Sequence, residues 1–474
     1  MVPFSLAGEI DERPYKKTRI IERDVVILGG GASGSHAAVR LREDLKKSVV
    51  VVEKKSRLGG HVSTYTEPST GAPLDYGVQS YIHYKGALDF FLRFNLTNTT
   101  YPGSKATSNK YVDFSNGVPV PSYTPPASDD VKTALTIYLR ECEKYEDILI
   151  PGYWNFPAPS KIPADLLIPF GEFATKYNMT SAMPQMFQIA GNALGDPIQL
   201  PTLYIMAAFG APMARSLLTS LRTFVPITHN NTELYGKIGT LLGDDVVYNS
   251  VVQDAERTKS GVKLIVKSID GKVTLIKAKK LLITFAQTTG NLEPYDLDRQ
   301  EEKVFSKWQY SQSMTSIVTH PSLPVAGAIT NIRTEASPSN YLVVPPLPTI
   351  GRFTYMGAEN PPLFRAIIGG NETMTPDGAK QVAQSALDKL IKAGDIPTPA
   401  PGSEKLKWIA FADHGAMHLH TSVEEVKGGF ITDLYALQGH RSTWYSGAAF
   451  CSQYSSLVWA FTDTLLPKLV KDLK

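Results

Sequence analysis

Apolar positions first fall into a regular pattern at residues 25–28 (VVIL), a short run that is continuous rather than alternating. That pattern suits a parallel strand buried on both faces. A glycine turn follows, a helix is expected over about residues 32–45, and residues 49–52 (VVVV) make a second buried strand that ends at Glu53. Before this unit, residues 1–23 are polar and charged and are expected to form an arm leading into the first strand.

After it, Leu88, Phe91 and Leu92 give residues 80–95 helical spacing, and residues 96–128, rich in Thr, Ser, Pro and Asn, read as loops with short strands. Helical periodicity returns over 129–148, with Asp129 or Asp130 placed to cap it, and again over about 163–224, where prolines punctuate it. The most apolar run, residues 203–214, is 12 residues long and broken by Gly210 and Pro212, so it reads as a buried helix and is too short to cross a bilayer. A helix over 233–242 precedes hairpin strands at 262–268 and 272–276 around Asp270-Gly271, and a buried strand is expected at 281–285. From 290 to 410, strand-like runs at 314–318, 339–344 and 352–356 are broken by proline clusters, with an amphipathic helix at 375–392.

At 474 residues the chain exceeds one ordinary core, which makes two domains the expectation. The 48 basic and 45 acidic residues nearly balance at +3, with no basic block interleaved with aromatics, so nucleic acid is not a natural partner. The 22 tyrosines and 19 phenylalanines suit an aromatic-lined pocket or simply two aromatic cores. Cys142 and Cys451 form neither a spaced metal motif nor a disulfide framework, and whether they pair is open. Asn-x-Ser/Thr triplets at Asn95, Asn98, Asn178, Asn230 and Asn371 point toward a secreted or lumenal compartment, while residues 1–24 hold no signal-type apolar core; the cytoplasm is the alternative.

The turn at residues 29–34 fits G-x-G-x-x-G. Gly29 permits the tight turn, Gly31 lets backbone approach a pyrophosphate, and Gly34 removes a side chain where helix and strand touch. Ala32 and Ser33 open the helix, whose unpaired N–H groups and positive dipole end face the phosphates. Glu53 stands 19 residues after Gly34, where a carboxylate can accept hydrogen bonds from an adenosine ribose. Strand, glycine turn, helix and acid in this order point to a bound dinucleotide.

Lys54 and Arg57 follow Glu53, then Gly59, Gly60 and His61, and after a Pro/Gly loop come Asp75, Gly77, Val78 and Gln79. This resembles the flavin-containing amine oxidase superfamily, whose pattern runs E-x-x-x-R-x-G-G-R and then D-x-G beneath the isoalloxazine. His61 departs from it, since the family usually has Arg there. The resemblance continues in residues 232–286, where a valine near Val251 (or Val252) offers its backbone to the adenine. It ends in residues 439–470: Gly447 closes a strand resembling the family's A-G-E, Ala448 stands where an acid is usual, and a helix starting near Tyr454, Ser455 and Ser456 is similar to the one that points at the flavin. Within the superfamily the chain is most similar to the branch of polyunsaturated fatty acid isomerases and beta-cyclopiazonate dehydrogenase-like enzymes.

The resemblance implies an α/β protein: a Rossmann-type, glutathione-reductase-like FAD-binding domain built from residues 24–89, 225–290 and 405–474. An α+β substrate domain would comprise a helical insertion at 90–224 and a sheet at 291–404. It implies FAD as cofactor and hydride transfer from a hydrophobic small molecule, such as an amine, alkaloid or other secondary metabolite, with O2 or another acceptor as reoxidant. A double-bond isomerase of a polyunsaturated lipid, with no net redox change, is the alternative, and a flavin-binding protein without catalysis is a third class. No sequence-local acid/base motif is required, because the isoalloxazine performs the hard step. His414, in the cluster with His418 and His420, is the one catalytic candidate, as proton relay or substrate contact; no metal site is expected. Tyr84, Trp408, Tyr445 and Tyr454 are candidate pocket walls.

Overall fold

The valine-rich runs at 25–28 and 49–52 lie side by side in the middle of a seven-stranded sheet, buried as their composition requires. The computed structural model describes residues 10–15, 19–190 and 195–473. Across this first sheet the strand order is Ser250–Arg257, Val262–Ser268, Val273–Ile283, Arg19–Leu28, Val49–Val52 and Val246–Val247, and Thr443–Tyr445 pairs with the end of Val273–Ile283. Five strands, Thr443–Tyr445, Val273–Ile283, Arg19–Leu28, Val49–Val52 and Val246–Val247, run parallel, as βαβ crossovers demand, and the first two in the order form an antiparallel hairpin on one edge. The mixed α/β class expected from sequence is the class observed.

Two expectations change here. The strands expected at 272–276 and 281–285 are one strand, Val273–Ile283, paired with Arg19–Leu28 along both halves. Lysines interrupt its apolar pattern, but each meets an acid: Lys277 with Glu12 (2.5 Å), Lys279 with Asp24 (2.8 Å) and Lys280 with Asp472 (2.6 Å). For the same reason part of the expected arm is strand, since residues 19–23 pair with 274–278; residues 1–9 and 16–18 of the arm lie outside the described residues.

The second sheet has the order Lys407–His420, Gln309–Thr319, Pro362–Gly370, Thr349–Glu359, Gly327–Asn331, Ser108–Asp113 and Val118–Pro119. Met314, Ile329, Phe353, Phe364 and Ile368 bury one face against Ala379, Ala383 and Leu387 of helix Pro376–Lys392, which Thr375 caps through its side chain. Strand Lys407–His420 belongs to this sheet, although a boundary at 405 assigns it to the other domain. Residues 339–344, expected as a strand, are not one: Pro338, Pro345 and Pro346 withhold donors, and the segment lines a cavity instead.

Helices fill most of residues 128–218. Helix Ser128–Glu143 starts one residue before Asp129, so both aspartates sit in its first turn, favourable for the dipole, and cap nothing. The apolar run at 203–214 divides into Thr202–Ala208 and Ala211–Leu218, broken at Gly210, while residues 191–194 of this helical stretch lie outside the described residues. The helix expected at 80–95 shrinks to Ala87–Leu92, because Tyr81 exchanges backbone hydrogen bonds with Phe224. Cys142 and Cys451 are buried and unpaired. No helix among the described residues is long and apolar enough to cross a membrane.

Candidate cofactor and substrate site

Gly29 takes a φ of +94°, which an L side chain resists, and so turns the chain out of the first strand. Gly30 N–H then donates to Glu53 Oε2 (2.6 Å), and Lys55 N–H donates to Oε1 (2.8 Å). Glu53 is 4% exposed, and each oxygen keeps a lone pair for a further donor. A Cβ at Gly34 would lie 1.9 Å from Gly29 O, so the helix Ala32–Val39 can begin this close to the strand only with glycine there.

The second glycine pair folds over the first. Gly59 N–H donates to Gly30 O (2.8 Å), and a Cβ on Gly60, at φ +54°, would meet Gly31 Cα at 2.8 Å. Bare backbone therefore faces bare backbone at the start of a helix, a cradle suited to a diphosphate. Lys55 Nζ is tied to Gly60 O (3.0 Å) and Arg57 to Ser63 Oγ (3.1 Å), while Lys54 is exposed beside Glu53. Ser250 N–H bonds Glu53 O (3.0 Å), which brings the next residue, Val251, to this end of the cradle at 46% exposure; Val252 is buried.

Residues 59–63 and 75–79 lie against one another. A Cβ on Gly77 would stand 2.1 Å from His61 O, and Val78 N–H donates to the same oxygen (3.3 Å). Gln79 Nε2 donates back to Asp75 O (2.7 Å) and Gly77 O (3.2 Å), and Tyr101 OH donates to Gln79 Oε1 (3.3 Å). Burial pushes the Asp75 carboxyl up to about 7, against hydrogen bonds from Thr64 and Asn231 N–H that act to lower it.

His61 and His414 stack with ring centroids 4.4 Å apart and planes 14° apart. Desolvation holds His61 down at about 4 and His414 well below its usual range, which favours the neutral form of each ring. His61 is nonetheless exposed to solvent, a combination that fits a residue on the wall of a cleft. His414 Nε2 is buried without a protein partner among the described residues, as is Ser452 Oγ. His418 and His420 make a local contact instead, His420 Nδ1 with His418 O (2.8 Å).

The C-terminal segment closes the site. Ser33 Oγ bonds Ser446 Oγ (2.6 Å), and Trp459 Nε1 donates to Ala32 O (3.1 Å), fixing helix Ser455–Lys471 against the first helix. Gly447 turns at φ +105°, Ala448 presents only an exposed methyl, and Tyr454 is the uncapped N-cap of the last helix, with Ser456 Oγ accepting from Ile82 N–H (3.2 Å). Across from these elements stands the second sheet, where Thr315 Oγ1 donates to Tyr76 O (2.5 Å). A cavity of about 180 Å³ lies between that sheet and the helical insertion, with Tyr111, Met183, Phe187, Tyr341, Val344 and Arg352 in its wall. Of the other aromatic candidates, Tyr84 and Trp408 are partly buried packing residues, and Tyr445 lies in the core bonded to Glu301.

Sequence reasoning missed Arg352 and Arg365. The available signal was a single arginine inside each of two strand-like runs, RFTYM and LFRAII, where the alternating apolar pattern leaves the charge half-enclosed.

The glycine cradle, the fixed carboxylate and the two opposed helix N-termini fit a dinucleotide with a flavin ring. The NAD(P)-binding Rossmann-like domain family matches residues 27–93. Beta-cyclopiazonate dehydrogenase of Aspergillus oryzae is 34% identical over 98% of this chain and 96% of its own length. The FAD-dependent oxidoreductase pigF of Monascus ruber is 32% identical over 98% and 95%. Among solved structures, the CLA-producing fatty acid isomerase from P. acnes superposes with a TM-score of 0.71 at 17% identity, covering 94% of this chain and 98% of that one, a likeness of fold. The chain belongs to the family of FAD-dependent oxidoreductases that includes beta-cyclopiazonate dehydrogenase, and FAD is its cofactor.

Proposed function

We propose that this enzyme oxidises a hydrophobic small molecule of secondary metabolism, an amine, alkaloid or similar compound, with O2 or another acceptor taking the electrons onward. One observation carries the reading: the backbone cradle at Gly31 and Gly60 and the inner face of the second sheet converge on residues 75–79, where Thr315 bonds Tyr76. FAD supplies a two-electron acceptor able to take a hydride from a carbon beside nitrogen, oxygen or an unsaturated centre.

The chain's own residues bind, orient and exclude water. Gly29, Gly31, Ala32, Ser33, Gly34 and Gly60 admit the diphosphate to the first helix N-terminus, Glu53 holds the ribose, and Val251 stands at the adenine end. Residues 77–79 and the N-terminal turn at Tyr454, Ser455 and Ser456 flank the ring, where a helix dipole favours negative charge. His61 and His414, each favoured in its neutral form, act as a wall and as hydrogen-bonding groups; a ring held so far below its ordinary pKa is a poor proton carrier at neutral pH.

Anaerobic titration of the purified protein with amines, indole alkaloids and polyenes tests this. The expected result is bleaching of the yellow chromophore by one class, then recovery with peroxide on admitting air. A conjugated product without oxygen uptake would establish isomerisation instead, and no bleaching by any class overturns the reading. Gly31→Trp is expected to yield folded, colourless protein, because an indole would occupy a cradle that backbone alone now lines; flavin-loaded mutant protein contradicts the assignment.

A further inference from the structure

Strand Thr349–Glu359 places Arg352 and Thr354 two residues apart, and Thr354 lies directly across from Arg365 on strand Pro362–Gly370. Side chains alternate along a strand and directly opposed residues share a face, so all three stand on one side of the sheet. The pairing of Thr354 and Arg352 with Ala328 and Thr330 is regular, which keeps the two on one face, although the register with Pro362–Gly370 shifts between Ile350 and Phe353. Phe353, Phe364 and Ala366 occupy the opposite side, against helix Pro376–Lys392.

The arginine face therefore looks toward the dinucleotide-binding half. Thr315, which bonds Tyr76 O, pairs with Ile367, two residues along from Arg365 on the same face. Tyr101 acts electrostatically on both arginines and bonds Gln79. Arg352 also lines the cavity of about 180 Å³, whose wall combines aromatic and aliphatic side chains with the amides of Gln185, Gln188, Asn331 and Asn340.

These two cations are poorly matched by the protein. Arg352 donates to Gln188 Oε1 at 3.4 Å, and its Nε is buried without a partner. Among the described residues the Arg365 guanidinium makes no ion pair or hydrogen bond, and Thr354 Oγ1 is a further buried, unpartnered polar atom between the two arginines. Desolvation lowers both, Arg352 to about 10, and a guanidinium stays protonated at neutral pH. Both arginines are partly buried, and a half-desolvated positive pair with unused donors is suited to an anion that completes it.

We propose that Arg352 and Arg365 bind the carboxylate, or a comparable delocalised monoanion, of an otherwise apolar substrate. The guanidinium forks hold the charged end, and the cavity wall of Tyr111, Phe187 and Val344 receives part of the apolar body. This inference rests on the reading of the cleft as the substrate site and narrows its substrate class.

The test is calorimetric titration of the flavin-loaded protein with indole-3-butyrate and decanoate, with their amides, and with acetate. The carboxylates are expected to bind, the amides about tenfold more weakly or worse, and acetate far more weakly because it lacks the apolar body. R352Q/R365Q is expected to weaken carboxylate binding on the order of thirtyfold. It should do so with unchanged flavin content and an equal or higher melting temperature, while R365K retains part of the affinity. Absence of carboxylate binding by the wild type, equal affinity for acid and amide, equal affinity for acetate, or indifference to R352Q/R365Q each overturns the proposal. Heat of binding does not depend on turnover, so failure of the oxidation reading, seen as a flavin that no substrate bleaches, is distinguishable from failure here.

Discussion

Arg257 and Arg365 are both strand guanidiniums, one in each sheet, the first buried and the second half-buried, and the protein treats them oppositely. Arg257 and Glu301 have side chains that are 0% exposed and form a two-pronged ion pair, Nη1 to Oε1 at 2.6 Å and Nη2 to Oε2 at 2.7 Å. Its remaining donors reach Tyr295 O (2.6 Å) and Asp296 O (3.0 Å), and Tyr445 OH adds a bond to Glu301 at 2.7 Å. Arg365 has no such partner among the described residues, and neighbouring Arg352 has one long contact. A chain able to satisfy one buried guanidinium this fully leaves two half-buried ones unmatched on the cleft wall, as the proposed binding of an outside anion requires.

The largest effect expected from this contrast is at Glu301. Glu301→Leu strands the Arg257 charge and removes the carboxylate that accepts Asp298 N–H in a capping box, and should cost about 3–5 kcal/mol in unfolding measurements. Replacing both partners, Arg257→Met with Glu301→Leu, should recover much of that, because no charge remains stranded. A single variant within about 1 kcal/mol of wild type would mean the pair is worth no more than a surface ion pair, and the contrast would collapse.

Arg365→Met should move stability the other way, by roughly 0–1 kcal/mol upward, since it removes a charge that nothing neutralises and keeps an apolar stem of similar reach. Denaturant unfolding of ligand-free protein reads this directly. A loss of about 2 kcal/mol or more would show that Arg365 has structural work to do in the sheet.

The fold half nearest Gly29 was legible in the sequence because its signals are local. Gly29 and Gly34 act within a turn of one another, where alternatives are excluded by atoms a few ångströms away, such as Gly29 O beside Gly34, and Glu53 lies at a fixed spacing one βαβ unit on, where it accepts from Gly30 N–H. The second sheet was harder. Strand Lys407–His420 is recognisable only once it pairs with Gln309–Thr319, about a hundred residues earlier, and the lysines in Val273–Ile283 look like a break until Glu12, Asp24 and Asp472 are in place. Residues 339–344 have strand composition without the free N–H groups a ladder needs nearby. Arg352 and Arg365 were illegible for the same reason: 13 positions apart in sequence, they become a pair through the register of Thr354 with Arg365.

The smallest expected effect concerns the carboxyl on the cleft side, Asp75, which, unlike Glu301, gains no cation. Its proton is held more tightly in the folded chain, at about 7, than at its ordinary 3.8, because burial disfavours the charge more than Thr64 and Asn231 stabilise it. A raised acid pKa contributes stability that is complete below about 4 and is lost as pH rises through about 7, when a carboxylate must be kept where a neutral acid was preferred. Asp75→Asn imitates the protonated acid at every pH. Wild type and variant, matched for flavin content, should therefore melt together only below about pH 4, and the variant should melt increasingly higher up to about pH 7 and stay higher near pH 9, by ~1–3 °C. Parallel melting curves across that range would mean that Asp75 stays ionised in the cleft, and a wild type that gains on the variant with rising pH would mean that a cation reaches it, placing Asp75 with Glu301 among the matched charges.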